Sequence, residues 1–178
     1  MSDDMRFDWL ADLMGVRPGD QVLELGPGPG ASLGRVAARL STGRVVGLDR
    51  SAAALTRARA RCPDELAAGK IRLVEGAIGS IRPDRLLGEL DRGADGFDLI
   101  FAVNVNVFWT KPAHAEWNLI RDCLSPTGRV WLCYGYGAPT APSTSPKPTP
   151  AELTHQLTTA GFRPILSAAG DLLAARAA

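Results

Sequence analysis

The sequence predicts an α/β fold, a mostly parallel, doubly wound sheet with helices on both faces, finished by an antiparallel hairpin. Three observations carry this reading. Short apolar runs alternate with stretches of helical periodicity from Gln21 to Cys133. The first run, Gln21-Val22-Leu23-Glu24-Leu25, passes directly into Gly26-Pro27-Gly28-Pro29-Gly30 and then a helix. The last two runs, Phe162 to Ala168 and Asp171 to Ala175, are separated only by Ala169-Gly170. A parallel return needs a dozen or more residues, so these two can only pair antiparallel.

Composition bounds what such a chain does. At 178 residues it fits one domain spanning 1–178, with 1–18 as an N-terminal helical segment and 135–150 as a proline-rich loop. It is 46% hydrophobic with a formal net charge of +1, an ordinary globular balance that points to no nucleic-acid partner. Arg57, Arg59 and Arg61 form the densest basic run and read as a solvated helix face. Cys62, Cys123 and Cys133 are too few and too scattered for a disulfide framework or a zinc site, and are expected as reduced, buried thiols. Asp3, Asp4 and Asp8 make an acidic start unlike that of a signal peptide, and no apolar run approaches 18 residues. A cytoplasmic protein without membrane association is expected.

Taken in order, Phe7, Leu10 and Met14 recur at helical spacing, with Asp3 and Asp4 favourably placed for the helix dipole. Val16 to Asp20 turns the chain into the first strand. After the glycine turn, Leu33, Val36, Ala37 and Leu40 form one helical stripe, ended by Ser41-Thr42-Gly43. Arg44 to Leu48 reads as the second strand, with Asp49 at its carboxyl end and Ser51 placed to cap a helix from Ala52 to Cys62. Ile71 to Glu75 is the third strand. Pro83 opens a short helix carrying Leu86, Leu87 and Leu90, and Asp91 to Gly96 is a polar turn. Phe97 to Val103 is almost continuously apolar, as expected of a strand buried on both faces. It runs into Asn104-Val105-Asn106-Val107-Phe108-Trp109, whose amides and aromatics are hard to justify by packing alone. Pro112 is expected at the first position of the next helix, with Trp117, Ile120 and Leu124 inward. Ser125 to Gly128 breaks that helix, and Arg129 to Tyr134 is the fifth strand. The 135–150 stretch reads as an irregular loop in a position where lids are found. A helix with Leu153, Leu157 and Ala160 follows, capped by Gly161, and Pro164 suits an edge strand.

The chemistry centres on the glycine turn. Three alternating glycines let the backbone approach a ligand where any Cβ would intrude. Gly26, Gly28 and Ala31 also satisfy the relaxed dinucleotide fingerprint, with Asp49 about 20 residues on, so the turn alone fits NAD as well as other nucleotide cofactors. In a doubly wound sheet ligands bind outside the carboxyl ends of the strands, where Asp49 could accept both hydroxyls of a ribose.

Glu24, two residues before the first glycine, and the strict alternation to Gly30 resemble motif I of the class I S-adenosylmethionine-dependent methyltransferases. Phe97-Asp98-Leu99-Ile100 and the tail behind it resemble motif IV of that family. The succession of elements from Gln21 to Ala178 resembles it throughout, although Thr127 splits the usual proline and glycine before the fifth strand. The resemblance implies a Rossmann-like, seven-stranded sheet of order 3-2-1-4-5-7-6. It implies S-adenosylmethionine as cofactor and S-adenosylhomocysteine as product. The cofactor would lie with its methionyl end among Gly26, Gly28 and Gly30 and its ribose on Asp49, with Glu24, Pro27, Arg50 and Ser51 as further cofactor-binding residues. Gly76, Ala77 and Ile78 would meet the adenine, and Asn104 and Val105 the end of the fourth strand. In the family an acid commonly meets the adenine amino group where this chain has Ala77, a departure that leaves backbone groups and Ile78 to hold the ring.

The expected reaction is in-line methyl transfer, which asks for positioning and desolvation more than for acid–base help. Should the acceptor be a hydroxyl, His114 is the candidate base, ahead of His155. Trp9, Asn106, Phe108, Trp109, Tyr134 and Tyr136 are candidate walls of an acceptor pocket, completed by the N-terminal helix, the 135–150 loop or a second subunit of a homodimer. Asn104-Val105-Asn106-Val107 lacks the two prolines of the amino-methylating nucleic-acid enzymes, no proline-cysteine nucleophile follows, and no acid cluster suggests a metal site. A small-molecule acceptor is therefore expected. Two alternatives stay open: a cofactor-binding module without independent transfer, and a non-methylating reaction in the same cleft.

Overall fold

The computed structural model describes residues 4–137 and 147–177. Residues 138–146, the middle of the expected proline-rich loop, and Asp3 lie outside the described residues. In chain order the elements are α1 (Asp4–Met14), β1 (Gln21–Leu25), α2 (Ala31–Ala37), β2 (Arg44–Asp49), α3 (Ala52–Arg61), α4 (Pro63–Ala67), β3 (Ile71–Glu75) and α5 (Pro83–Leu87). There follow β4 (Phe97–Val103), α6 (Val107–Thr110), α7 (His114–Cys123), β5 (Leu124–Tyr134), α8 (Pro150–Thr159), β6 (Pro164–Ala169) and β7 (Leu172–Ala177).

The strands form a seven-stranded sheet of order β3-β2-β1-β4-β5-β7-β6, in which β7 pairs antiparallel with both β5 and β6. This is the expected order. Alternation along the strands sends successive side chains to opposite faces, and each face carries its own core. On one face Leu23, Leu25, Ile100, Ala102 and Leu132 meet Leu86 of α5, Phe108 of α6, Trp117 of α7 and Leu153 of α8. On the other, Val22, Leu99, Phe101 and Cys133 meet Phe7 and Leu10 of α1, Leu33 and Val36 of α2 and Ala58 of α3. The three cysteines are free and buried.

Several local expectations are corrected. The tail after β4 forms a short helix, α6, that turns Phe108 into the core at 0% exposure, where its ring lies 4.9 Å from that of Trp117. Phe108 is thus a packing residue, not an acceptor-pocket wall. Pro112 lies outside the helix it was expected to open, since α7 begins at His114. Strand β5 begins at Leu124, which pairs with Phe97 before a register shift restores pairing at Arg129, so residues 125–128 form an irregularity within the ladder. Helix α4 was not anticipated; Pro63 in its first turn restarts a helix after Cys62. Thr149 and Glu152 form a reciprocal capping box at the start of α8.

Phe108→Ala should lower the free energy of unfolding by about 3–5 kcal/mol, as expected for truncation of a fully buried Phe. Urea unfolding of the two proteins measures this, and a loss below about 1 kcal/mol would remove Phe108 from the core.

Candidate functional site

The site lies where β1, β2, β3 and β4 end. Gly26 N–H donates to the Leu48 carbonyl at 2.8 Å and Gly76 N–H to the Asp49 carbonyl at 3.0 Å, which carries both ladders one residue beyond the strands. Gly26 has φ +71°, and a Cβ there would stand 2.8 Å from Cγ2 of Val105, so a side chain is excluded on both counts. Gly30, at φ +80°, is required by packing instead: its Cβ would stand 2.9 Å from that of Ala58, where α2 begins against α3. No described residue lies within 4 Å of where a Cβ on Gly28 would stand.

Asp49 holds this turn in place. Its Oδ2 accepts from Gly28 N–H and its Oδ1 from Ser51 N–H, both at 2.9 Å. The helix cap itself is Ser51, whose Oγ accepts from Ala54 N–H at 3.2 Å. Asp49 is therefore not the cap of α3, and it remains at the wall of the cleft.

Beneath the turn Glu24 is buried at 1% exposure. Its Oε1 accepts the Ser32 hydroxyl, while Oε2 has no partner among the described residues. Burial is the largest influence and pushes its carboxyl up to about 8, against the lowering effect of the Ser32 hydrogen bond and with a smaller upward push from Asp49. Ser32 is a site residue that sequence reasoning missed; eight positions from Glu24, it becomes a neighbour only because strand, turn and helix fold back on one another.

The cleft above these groups has a volume of about 460 Å³, within the usual range for small-molecule sites. Gly26 and Val105 to Val107 bound one side, Leu48, Asp49 and Arg50 the middle, and Gly76 to Gly79 the far side. Lys111 and Glu116, neither anticipated, close the far end, with Nζ and Oε1 3.4 Å apart. Pro27 is buried, its Cγ 3.1 Å from where a Cβ on Gly47 would stand.

Other expected site residues are placed elsewhere. Asn104 adopts φ +57°, and its side chain donates to the Gly135 carbonyl and accepts from Gly135 N–H, both at 2.9 Å, so its amide pins the end of β5. Tyr134 is buried and donates to the Val105 carbonyl at 3.2 Å, supporting the cleft from below. Tyr136 is 56% exposed, with the Arg6 guanidinium 5.6 Å from its ring. Trp9 packs half-buried against the α1–α2 core, away from the cleft. Asn106 lines the cleft and its Oδ1 accepts from Nε1 of Trp109 at 3.3 Å. His114 is exposed and faces, with His155, a separate groove of about 130 Å³ between α7 and α8. That placement takes His114 out of the group of residues around the cleft. Among the described residues no three His, Cys, Asp or Glu side chains are grouped to hold a metal ion, and no helix is long and apolar enough to cross a membrane.

Residues 22–128 match a family model described as a methyltransferase domain. An uncharacterised 37.1 kDa protein in transposon TN4556 of Streptomyces fradiae is 38% identical over 86 residues, 44% of this chain and 25% of that one. The present chain thus spans only about a quarter of that relative. A methyltransferase from Aquifex aeolicus described as dependent on S-adenosylmethionine (SAM) superposes with a TM-score of 0.73 at 15% identity, covering 98% of this chain and 90% of its own. The glycopeptide N-methyltransferase MtfA, in complex with S-adenosylmethionine, superposes with a TM-score of 0.72 at 16% identity, covering 99% and 93%. At these identities the two structures share the fold.

The position of Glu24 makes a pH prediction. Its carboxyl holds a proton in the folded protein up to about 8, against an ordinary value of 4.5. The folded state therefore binds more protons between those values, and this group's contribution to stability is lost as pH rises from about 4.5 towards 8. Glu24→Gln should flatten that part of the stability–pH curve, measured by chemical denaturation; an unchanged slope would place an ionised carboxylate at this site.

Proposed function

Because the chain belongs to the methyltransferase domain family, we propose that it binds S-adenosylmethionine in this cleft and transfers the methyl group to a small-molecule acceptor. The observation that carries the reading is the pair of carboxyl groups set around one glycine turn. Glu24 holds an unpartnered, buried carboxyl oxygen beneath it, and Asp49 stands at the adjoining strand end. An ammonium that replaces the proton of the first carboxyl forms a charge-assisted pair with it, and a ribose with vicinal hydroxyls fits the second. Gly26 adds bare backbone to the cleft wall, its Cβ position being closed by Val105.

The cofactor, when bound, supplies a sulfonium methyl that is already electrophilic. The chain's part is to hold and to dry. Asp49 fixes the turn before any ligand arrives, so little ordering is left to do on binding. Leu48, Ile78, Val105 and Val107 line the cleft with apolar surface that excludes water. Alignment of this kind accounts for roughly 7–11 kcal/mol of a barrier where geometry is ideal. Among the described residues the titratable side chains lining the cleft are Asp49, Arg50, Lys111 and Glu116, with no histidine. This supports an acceptor that is nucleophilic without help from a histidine base. The absence of the proline pair after Asn104 supports a small molecule over a nucleic acid. The free, buried thiols support a cytoplasmic setting.

Two measurements test the reading. S-adenosylmethionine or S-adenosylhomocysteine at about 100 times its dissociation constant should raise the melting midpoint by roughly 5–11 °C, with no rise for NAD. A rise with NAD alone would overturn the cofactor assignment, and cofactor binding with no transfer across an acceptor panel would favour a binding module. Asp49→Ala should weaken binding of S-adenosylhomocysteine by roughly 10- to 150-fold, the worth of a hydrogen bond to a charged group. Unchanged affinity would remove Asp49 from the site.

A further inference from the structure

The far end of the cleft holds a carboxylate that the reaction does not use. Glu116 stands in the first turn of α7, buried at 7% exposure, yet it lines the cleft opposite the turn that follows β3. Its approach to that turn is close. A Cβ on Gly79 would lie 3.0 Å from its Oε1, and the φ of Gly79 is not in the left-handed region, so the missing side chain here makes room for the carboxylate. Lys111, largely exposed, holds Oε1 from the other side at 3.4 Å. Burying a carboxylate is costly unless it has a task or partners, and a single partly exposed ammonium is a modest partner.

We propose that Glu116 reads the 6-amino group of the cofactor's purine, supplying from α7 the acceptor that the turn after β3 lacks at Ala77. The inference rests on the cofactor reading above. With the amino-acid end at Glu24 and the ribose at Asp49, the purine extends along the order of strand ends, past β2 to the turn at Gly76 to Gly79. Leu48 and Ile78 offer apolar surface to its ring. An adenine presents one exocyclic donor at its 6-position. Ala77 has no acceptor in its side chain, and its carbonyl already accepts from Ser80 and Ile81 N–H, both at 3.0 Å. Among the described residues that line this end of the cleft, Glu116 brings the only carboxylate. Lys111 keeps it aimed and compensates its charge, which makes Lys111 a positioning residue.

Calorimetric titration of S-adenosylhomocysteine and of its analogue with hydrogen in place of the 6-amino group tests this. The wild type should prefer the amino compound by about tenfold or more, the range for a hydrogen bond to a charged group. In Glu116→Ala that ratio should fall towards one, through weaker binding of the amino compound alone. Glu116→Gln, which keeps an acceptor oxygen and the shape of the side chain, should retain part of the preference. Glu116→Ala combined with Ala77→Asp should regain it, because Ala77 is exposed and faces the same end of the cleft. Each ratio is taken within one folded protein, so a general loss of stability does not produce the expected result. Equal binding of both ligands by the wild type, or an unchanged ratio in Glu116→Ala and Glu116→Gln, would overturn the role of Glu116 while leaving the cofactor assignment standing. Failure of the wild type to bind either ligand would instead defeat the cofactor assignment.

Discussion

The carboxylate of Asp49 is the interaction on which the site depends. It accepts one hydrogen bond from the glycine turn after β1 and one from the start of α3, and so ties two loops to the end of the strand between them. Glycine has wide conformational freedom, and a turn with three of them in the left-handed region, Gly26, Gly28 and Gly30, would otherwise lose much entropy on ordering. A charged acceptor shared between two backbone donors is among the stronger ways to oppose that loss. Because Gly26 and Gly76 continue the backbone ladders on either side of β2, the strand ends and the turn form one rigid edge. The cleft is the space above that edge.

The two carboxyl groups of the turn show how environment divides one chemistry into two. Asp49 is half-buried and meets backbone donors. Glu24, on β1, is sealed beneath the same turn with one hydroxyl for company, and burial holds it protonated over much of the neutral range. Buried polar atoms in folded proteins are nearly always paired, so the unpartnered Oε2 of Glu24 marks a place where the fold gives up stability. Such a cost is intelligible where a ligand completes the pairing.

The other side of the strand ends is organised by backbone pinning as well. Asn104, in a left-handed conformation that asparagine tolerates better than most residues, binds both polar groups of Gly135. Asp171, fully buried in the turn between β6 and β7, accepts from Tyr136 and Gly137 N–H and pairs with Lys147. Arg6 adds a bond from α1 to the Gly135 carbonyl at 3.2 Å. The hairpin, the opening helix and the end of β5 are thereby joined at one point. Polar residues around this junction have structural work that their position in the sequence does not reveal.

The sequence by itself determined the architecture and the identity of the turn. Apolar periodicity, glycine spacing and the two-residue gap before β7 are local signals. The sheet order followed from the family resemblance, and strand boundaries such as Ile71–Glu75 and Phe97–Val103 coincide with the apolar runs. Glu24 and Asp49 were legible for the same reason, since each has a set place relative to a strand end. What only the tertiary structure decided is which side chains after those ends face the cleft. Phe108 turned inward because the tail after β4 coils into α6, and His114 turned to another groove because α7 starts two residues later than Pro112 suggested. Ser32 and Glu116 entered because the site is assembled across distant segments. Local pattern sets where a backbone element lies, but the direction of a side chain at a loop or first helical turn depends on one or two residues of phase. Only the packing of neighbouring elements supplies that phase.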